Sequence, residues 1–350
     1  MKRLLPLLLL LVAPVASGQN AAPAAPPALA PEPAAPPVSD HVRYLEVEDG
    51  PDVLQTAITR YRKGADTVDL VAVVHIADAA YYEALNDFLG RFDVVLYEMV
   101  GGEFDKEEDQ LAEKENGSEL VNVRQLQQMA KSFLGLEFQL DGIDYDAENF
   151  THADVTWEQY RQLNTAKNQS FATLMTRAMS LSQTAEIPGI PSSEEDINVF
   201  FGRILSAITT GDSGELKRVV APMLSESEEF ISMLEGEDGT VLVTERNKVV
   251  MQKLNDVRSQ RKGGSYAIFY GAGHMPDLEE RLLADGFEKV ETGWANAWSI
   301  AKPGGENSLT TGNEAPTATG MFLKMLQDNP EFMEAVEQIG EVIDQLRETE

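Results

Sequence analysis

Two stretches of the chain are apolar without alternation, Val68-Asp-Leu-Val-Ala-Val-Val74 and Ser265-Tyr-Ala-Ile-Phe-Tyr270. A strand with one wet face alternates apolar and polar side chains. Unbroken runs of this length belong instead to strands covered on both faces, as in a parallel sheet layered between helices. Phe92-Asp-Val-Val-Leu-Tyr97 is a third such run, and Ala79–Leu89 between the first and third has helical spacing. Strand, helix and strand within about thirty residues make a βαβ unit. The expected class is therefore α/β, a mostly parallel sheet flanked by helices.

Around this frame the pattern predicts a strand over Val42–Val47 and, from the spacing of its apolar residues, a helix over Val53–Tyr61. The middle of the chain repeats apolar residues at threes and fours: Trp157, Tyr160 and Leu163, then Phe171, Leu174, Met175, Ala178 and Leu181. Pro188–Pro191 interrupts this run. Ser192-Ser-Glu-Glu195 is a capping box that opens a further helix through Ile208. Helical spacing continues over Glu215–Leu234 and Val241–Val257, so residues 119–260 read as a helical lobe inserted into the α/β domain. A short helix over Pro276–Leu283 and one or two strands over Glu288–Ile300 complete a domain of residues 41–302. Pro303–Gly320 reads as a loop. Phe332, Val336, Ile339, Ile343 and Leu346 place a C-terminal amphipathic helix within residues 303–350.

The N-terminus has the features of a secretory signal over residues 1–18. Lys2 and Arg3 precede an apolar run from Leu4 to Val12, and Ala16-Ser-Gly18 offers small residues for cleavage. The run falls short of the ~20 residues that span a bilayer. Export to a periplasmic or extracellular space is expected, with no membrane span left after cleavage. Residues 19–40, nearly all Ala and Pro from Ala21 to Pro37, read as an extended tether.

Charge and cysteine content narrow the chemistry. With 28 Lys and Arg against 58 Asp and Glu, the net charge is −30, and a chain so negative lacks the basic footprint of nucleic-acid binding. No cysteine is present, which removes thiol nucleophiles, disulfides and thiolate metal sites. Four histidines remain as imidazole candidates.

Two of the four follow strands directly. His75 comes after the Val68–Val74 run, and His274 lies in Gly271-Ala-Gly-His274 just past the Ser265–Tyr270 run, while Glu98 ends the Phe92–Tyr97 run. Open α/β sheets bind ligands outside the carboxyl ends of their parallel strands. Two imidazoles and one carboxylate there form the donor set of a catalytic divalent-metal site with an open position for water. Gly271 and Gly273 let the backbone turn close to a ligand. The chain has no Gly-x-Ser-x-Gly elbow and no phosphate loop ending in Gly-Lys-Ser/Thr, and Pro276 stands where a dinucleotide fingerprint needs glycine.

Other polar residues carry two readings each. His152 and Asp154 either line the cleft as an acid/base pair or, for Asp154 or Thr156, cap the following helix. Arg246 either holds a substrate carboxylate or developing oxyanion or makes a salt bridge with nearby acids. Glu103–Glu115 reads as a solvated loop or cleft lid, and His41 beside the tether as incidental.

Together, Ala72-Val-Val-His75, Val94-Val-Leu-Tyr-Glu98, Glu245-Arg-Asn247 and Gly271-Ala-Gly-His274 resemble the motifs of the TraB/PrgY/GumN family. That family includes Tiki-type metalloproteases and is distantly similar to erythromycin esterase-like and ChaN-like proteins. The resemblance covers Val68–Ile300, with Ala72 where the first motif usually has glycine. It implies a divalent-metal-dependent hydrolase whose metal, of the Mn, Co or Zn type, is held by His75, Glu98 and His274. Glu98 is either a ligand or the general base. The expected substrate is a peptide or small molecule with a peptide or ester bond. The alternative is a non-catalytic protein of the same fold that sequesters a peptide or small ligand. The more distant ChaN-like similarity implies a third reading, haem bound through His75 or His274.

Overall fold

The computed structural model describes residues 40–101, 134–184 and 199–302, apart from 201, 205, 208, 209 and 237. The segments read from the sequence as a signal, a tether, an acidic lid, a capping box at Ser192–Glu195 and a C-terminal loop and helix lie outside these residues.

The fold is α/β. Its main sheet is built from β1 (Val42–Leu45), β2 (Asp52–Lys63), β3 (Asp66–Val73), β5 (Val94–Tyr97), β7 (Phe150–His152), β8 (Ser265–Gly271) and β9 (Glu288–Ile300). The strands β3, β8, β5 and β7 lie side by side in that order and run parallel. These are the unbroken apolar runs of the sequence, and Val68, Val71, Val95, Leu96, Ile268 and Phe269 are fully buried. Helices cover the sheet because parallel strands need long crossovers to return to the same end.

The other half of the sheet is antiparallel. β2 pairs with β9 along its whole length on one edge, and with β1 and then β3 on the other. This corrects the helix expected over Val53–Tyr61. The segment Val53-Leu-Gln-Thr-Ala-Ile-Thr-Arg-Tyr61 carries four β-branched residues, and with partners on both edges the strand outweighs a marginal helical spacing. β1 ends at Leu45 rather than Val47. Glu288–Ile300 is one strand, with register shifts opposite Leu54/Gln55 and Arg60/Tyr61.

Short elements position the strand ends. Helix α1 (Ala79–Leu89) buries Tyr81, Tyr82, Leu85 and Leu89 on one face. The Tyr82 hydroxyl donates to the Val74 carbonyl at 2.9 Å and so pins the chain beside His75. Beyond His75, β4 (Ile76–Ala77) pairs with β6 (Glu137–Phe138), which leads into a single helical turn, α2 (Gln139–Gly142). Gly142 is required there, because a Cβ would lie 2.7 Å from the Tyr82 ring.

The helical part contains α3 (Trp157–Lys167), α4 (Phe171–Thr184), α5 (Ser213–Ser225), α6 (Ser227–Glu235), α7 (Arg246–Gln260) and α8 (Met275–Ala284). A capping box of Thr156 with Gln159 starts α3, so Thr156, not Asp154, is the cap. The sheet strand β7 falls within the span 119–260 expected for the helical insertion. A π-helical turn over Val241–Glu245 precedes α7. Glu235 accepts from the Thr240 and Thr244 amides at 2.8 and 3.2 Å, which satisfies donors at that helix start. Among the described residues no helix is long and apolar enough to cross a membrane.

Candidate functional site

Register brings the site residues to one rim. Val73 is level with Gly271, and Tyr97 is level with both Phe269 and His152, so β3, β8, β5 and β7 end together. Glu98, one residue past β5, donates its backbone N–H to the Phe269 carbonyl at 3.2 Å. Its Oε2 accepts the Gly271 N–H at 2.7 Å. The Cβ that Gly271 lacks would lie 3.2 Å from Glu98 Oε2 and 3.7 Å from His75 Nε2. Glycine at this position thus leaves room for a carboxylate and an imidazole to face one another across β8.

His274 approaches from the other side. Its Nε2 lies 3.4 Å from Glu98 Oε1 and 3.4 Å from Arg246 Nη1. The ring stands edge-on to Tyr270, at 5.2 Å between centroids. The Tyr270 hydroxyl donates to the Ala153 carbonyl at 2.7 Å, and burial pushes that phenol well above its ordinary pKa. His75, Glu98 and His274 are therefore brought together at the carboxyl ends of β3, β5 and β8.

Arg246 opens α7 and is 3 % exposed. A cation at a helix N-terminus opposes the helix dipole, so it needs anionic partners. It has two. Its Nε and Nη2 reach the fully buried Asp154 at 2.9 and 2.5 Å, and Nη2 also reaches Glu98 Oε1 at 2.6 Å. Burial works against the charge on Arg246, but Asp154 and Glu98 outweigh it and hold its pKa well above the ordinary value. Burial alone would raise the Glu98 carboxyl. Arg246, with His274 and His75, overrides this and holds it well below the usual carboxylate range. Of the two sequence readings of Arg246, the geometry gives the ion pair, though a buried one bridging the site rather than one at the surface.

His152 and Asp154 do not meet each other. His152 Nε2 donates to the Met99 carbonyl at 2.6 Å and its ring packs edge-on against Tyr97, whereas Asp154 turns to Arg246. His152 ends β7 on the same rim.

Two amides that the sequence reading did not single out complete the site. Gln139 Oε1 lies 2.9 Å from His75 Nδ1, and Asn247 Oδ1 lies 2.7 Å from His274 Nδ1. Asn247 is adjacent to Arg246 in the Glu-Arg-Asn motif, which was a signal for it; Gln139 had none. His41 lies away from the site and has a structural place. It is 3 % exposed, with Nδ1 3.2 Å from Glu228 and Nε2 3.3 Å from Glu279, so it ties β1 to α6 and α8.

The donor set suits a divalent cation in kind, two imidazole nitrogens and a carboxylate. Both Glu98 oxygens are engaged by Arg246 and Gly271, and among the described residues no three His, Asp or Glu side chains form a ready-made metal-holding group. A cation would compete with Arg246 for Glu98. The chain matches no known family model, no curated protein and no solved structure.

Proposed function

We propose that this protein is an exported, divalent-metal-dependent hydrolase of peptide or ester bonds. The observation that carries the reading is the convergence of His75 and His274 on the two sides of Glu98 at the carboxyl ends of three parallel strands. In this reading His75 and His274 hold the metal, and Glu98 is its third ligand or the base beside it. A bound divalent metal supplies a water of lowered pKa and polarises the carbonyl under attack. Arg246 keeps the Glu98 carboxylate ionised and fixed in direction, and Asp154 holds Arg246 in place. The likeness of the four motifs to the TraB/PrgY/GumN family supports the same reading.

A second reading, a binding protein without turnover, draws on one specific observation. Glu98 already has a partner on each oxygen, so the site is electrostatically closed without a metal. Elemental analysis of the dialysed protein, joined to cleavage of a peptide library and of simple esters, separates the two. Near-stoichiometric metal with metal-dependent cleavage is expected. Retained metal without turnover would favour the binder, and no retained metal would refute the metal-dependent hydrolase.

A further inference from the structure

We propose that Gln139 and Asn247 are paired positioning residues that fix both site histidines with the proton on Nδ1, so that both Nε2 lone pairs are presented on the side of Glu98. The inference rests on the proposed metal site for its purpose, though not for its geometry.

The Asn247 amide has one possible orientation. Its Nδ2 donates to the His274 carbonyl at 3.0 Å and to Asp277 Oδ2 at 2.7 Å, and neither partner can donate to it. Oδ1 is therefore the atom 2.7 Å from His274 Nδ1, and it accepts. His274 Nδ1 carries a proton. In the neutral ring Nε2 is then an acceptor; it lies 3.4 Å from Arg246 Nη1, which can only donate, and equally 3.4 Å from Glu98 Oε1, which can only accept, so the assignment rests on Asn247.

His75 faces an amide from a different element in the same geometry, and here the amide's far partner is a hydroxyl, which can accept or donate, so the orientation is part of the proposal. The Gln139 backbone N–H donates to the His75 carbonyl at 2.9 Å, which brings the two residues into register. Gln139 Nε2 donates to the Tyr145 hydroxyl at 2.8 Å, and Oε1 faces His75 Nδ1 at 2.9 Å. With the proton on Nδ1, its Nε2 is the acceptor, on the side where a Gly271 Cβ would stand. Gln139 is 3 % exposed and Asn247 is wholly buried, so neither amide is there to solvate the surface. A free neutral histidine favours the proton on Nε2. Two side chains that reverse this preference on two rings facing one carboxylate make a common device, since a metal-binding imidazole is oriented by the bond its other nitrogen makes.

The test is long-range nitrogen–proton NMR of the metal-free protein labelled with nitrogen-15 in histidine, at a pH where the rings are neutral. Four histidines make assignment by single His→Gln variants practical. His75 and His274 should each show the Nδ1–H form. Gln139→Met should release His75 alone and Asn247→Leu should release His274 alone, while Gln139→Glu and Asn247→Asp, which keep the acceptor, should restore the form. An Nε2–H form for either histidine in the unaltered protein overturns the proposal without need of any variant that folds poorly. Cobalt(II) titration by visible absorption gives the second reading. Gln139→Met should weaken cobalt binding about tenfold to a hundredfold. Equal affinity in both non-accepting variants would overturn the positioning role. No cobalt binding by the unaltered protein, with the Nδ1–H forms present, would instead overturn the metal reading and leave the tautomer assignment standing.

Discussion

Arg246 Nη2 lies 2.6 Å from Glu98 Oε1, and the same nitrogen is 2.5 Å from Asp154 Oδ2. One buried guanidinium thus neutralises two carboxylates, one just past β5 and one in the loop after β7. Removing it would leave both anions with little water and no cation. Breaking a buried pair in this way costs about 3–5 kcal/mol. Arg246→Met should lower the free energy of unfolding in urea by that order, and Arg246→Met with Asp154→Asn should recover part of it. A loss below about 1 kcal/mol for the single variant would show that the network contributes little to the fold.

His274→Ala tests the proposed metal site. Metal retained after dialysis should fall sharply, and any metal-dependent cleavage should fall by at least a hundredfold, since one ligand's share of transition-state stabilisation is lost. The fold should survive, judged by circular dichroism. Full metal content and full activity would remove His274 from the site.

Gly271→Ala isolates the space beside Glu98. The Gly271 backbone has φ −53° and ψ 142°, which alanine adopts without strain. Its Cβ would still stand 3.2 Å from Glu98 Oε2. Stability should fall by about 1 kcal/mol, within the range of mild overpacking, while cobalt binding should weaken by tenfold or more. Unchanged binding would mean that the space is not where a metal is held.

His41 supplies a pH-dependent contribution away from the site. Burial opposes its protonation, but Glu228 and Glu279 outweigh this and raise its pKa to about 9. The unfolded value is near 6.5. Because the folded value is the higher, the stabilisation is complete below about pH 6.5 and is lost as pH rises through about 9. The difference in unfolding free energy between the unaltered protein and His41→Asn should therefore shrink by about 2–3 kcal/mol from pH 6 to pH 9.5. A difference that stays constant over that range would rule out a charged His41.

What could be read in the sequence was whatever the chain encodes locally. Val68–Val74 and Ser265–Tyr270 announced covered strands because their side chains leave no wet face. Ala79–Leu89 and Pro276–Leu283 matched the observed helices to within a residue, because their apolar spacing is unambiguous. The positions of His75, Glu98 and His274 were legible for the same reason, as polar residues at the ends of apolar strands. Val53–Tyr61 departs from its helical spacing because its conformation is decided by pairing partners on both edges, one of which, β9, lies more than 200 residues away. The role of Arg246 was equally hidden, since Asp154 comes from a loop 92 residues earlier. Gln139 is fixed by its place opposite His75, and nothing within α2 marks it as special.

The position of β8 between β3 and β5 has a consequence for how the chain assembles. Its first residue leaves the ribosome about 190 residues after the last of β3, roughly 10–40 s later at ordinary elongation speeds. For that interval His75 and Glu98 belong to strands with no common neighbour, and their rim does not exist. A nascent chain stopped before Ser265 would carry two of the three site residues and no means of holding them together. The site should therefore be among the last features of this protein to form, completed as a single strand slides into the centre of a waiting sheet.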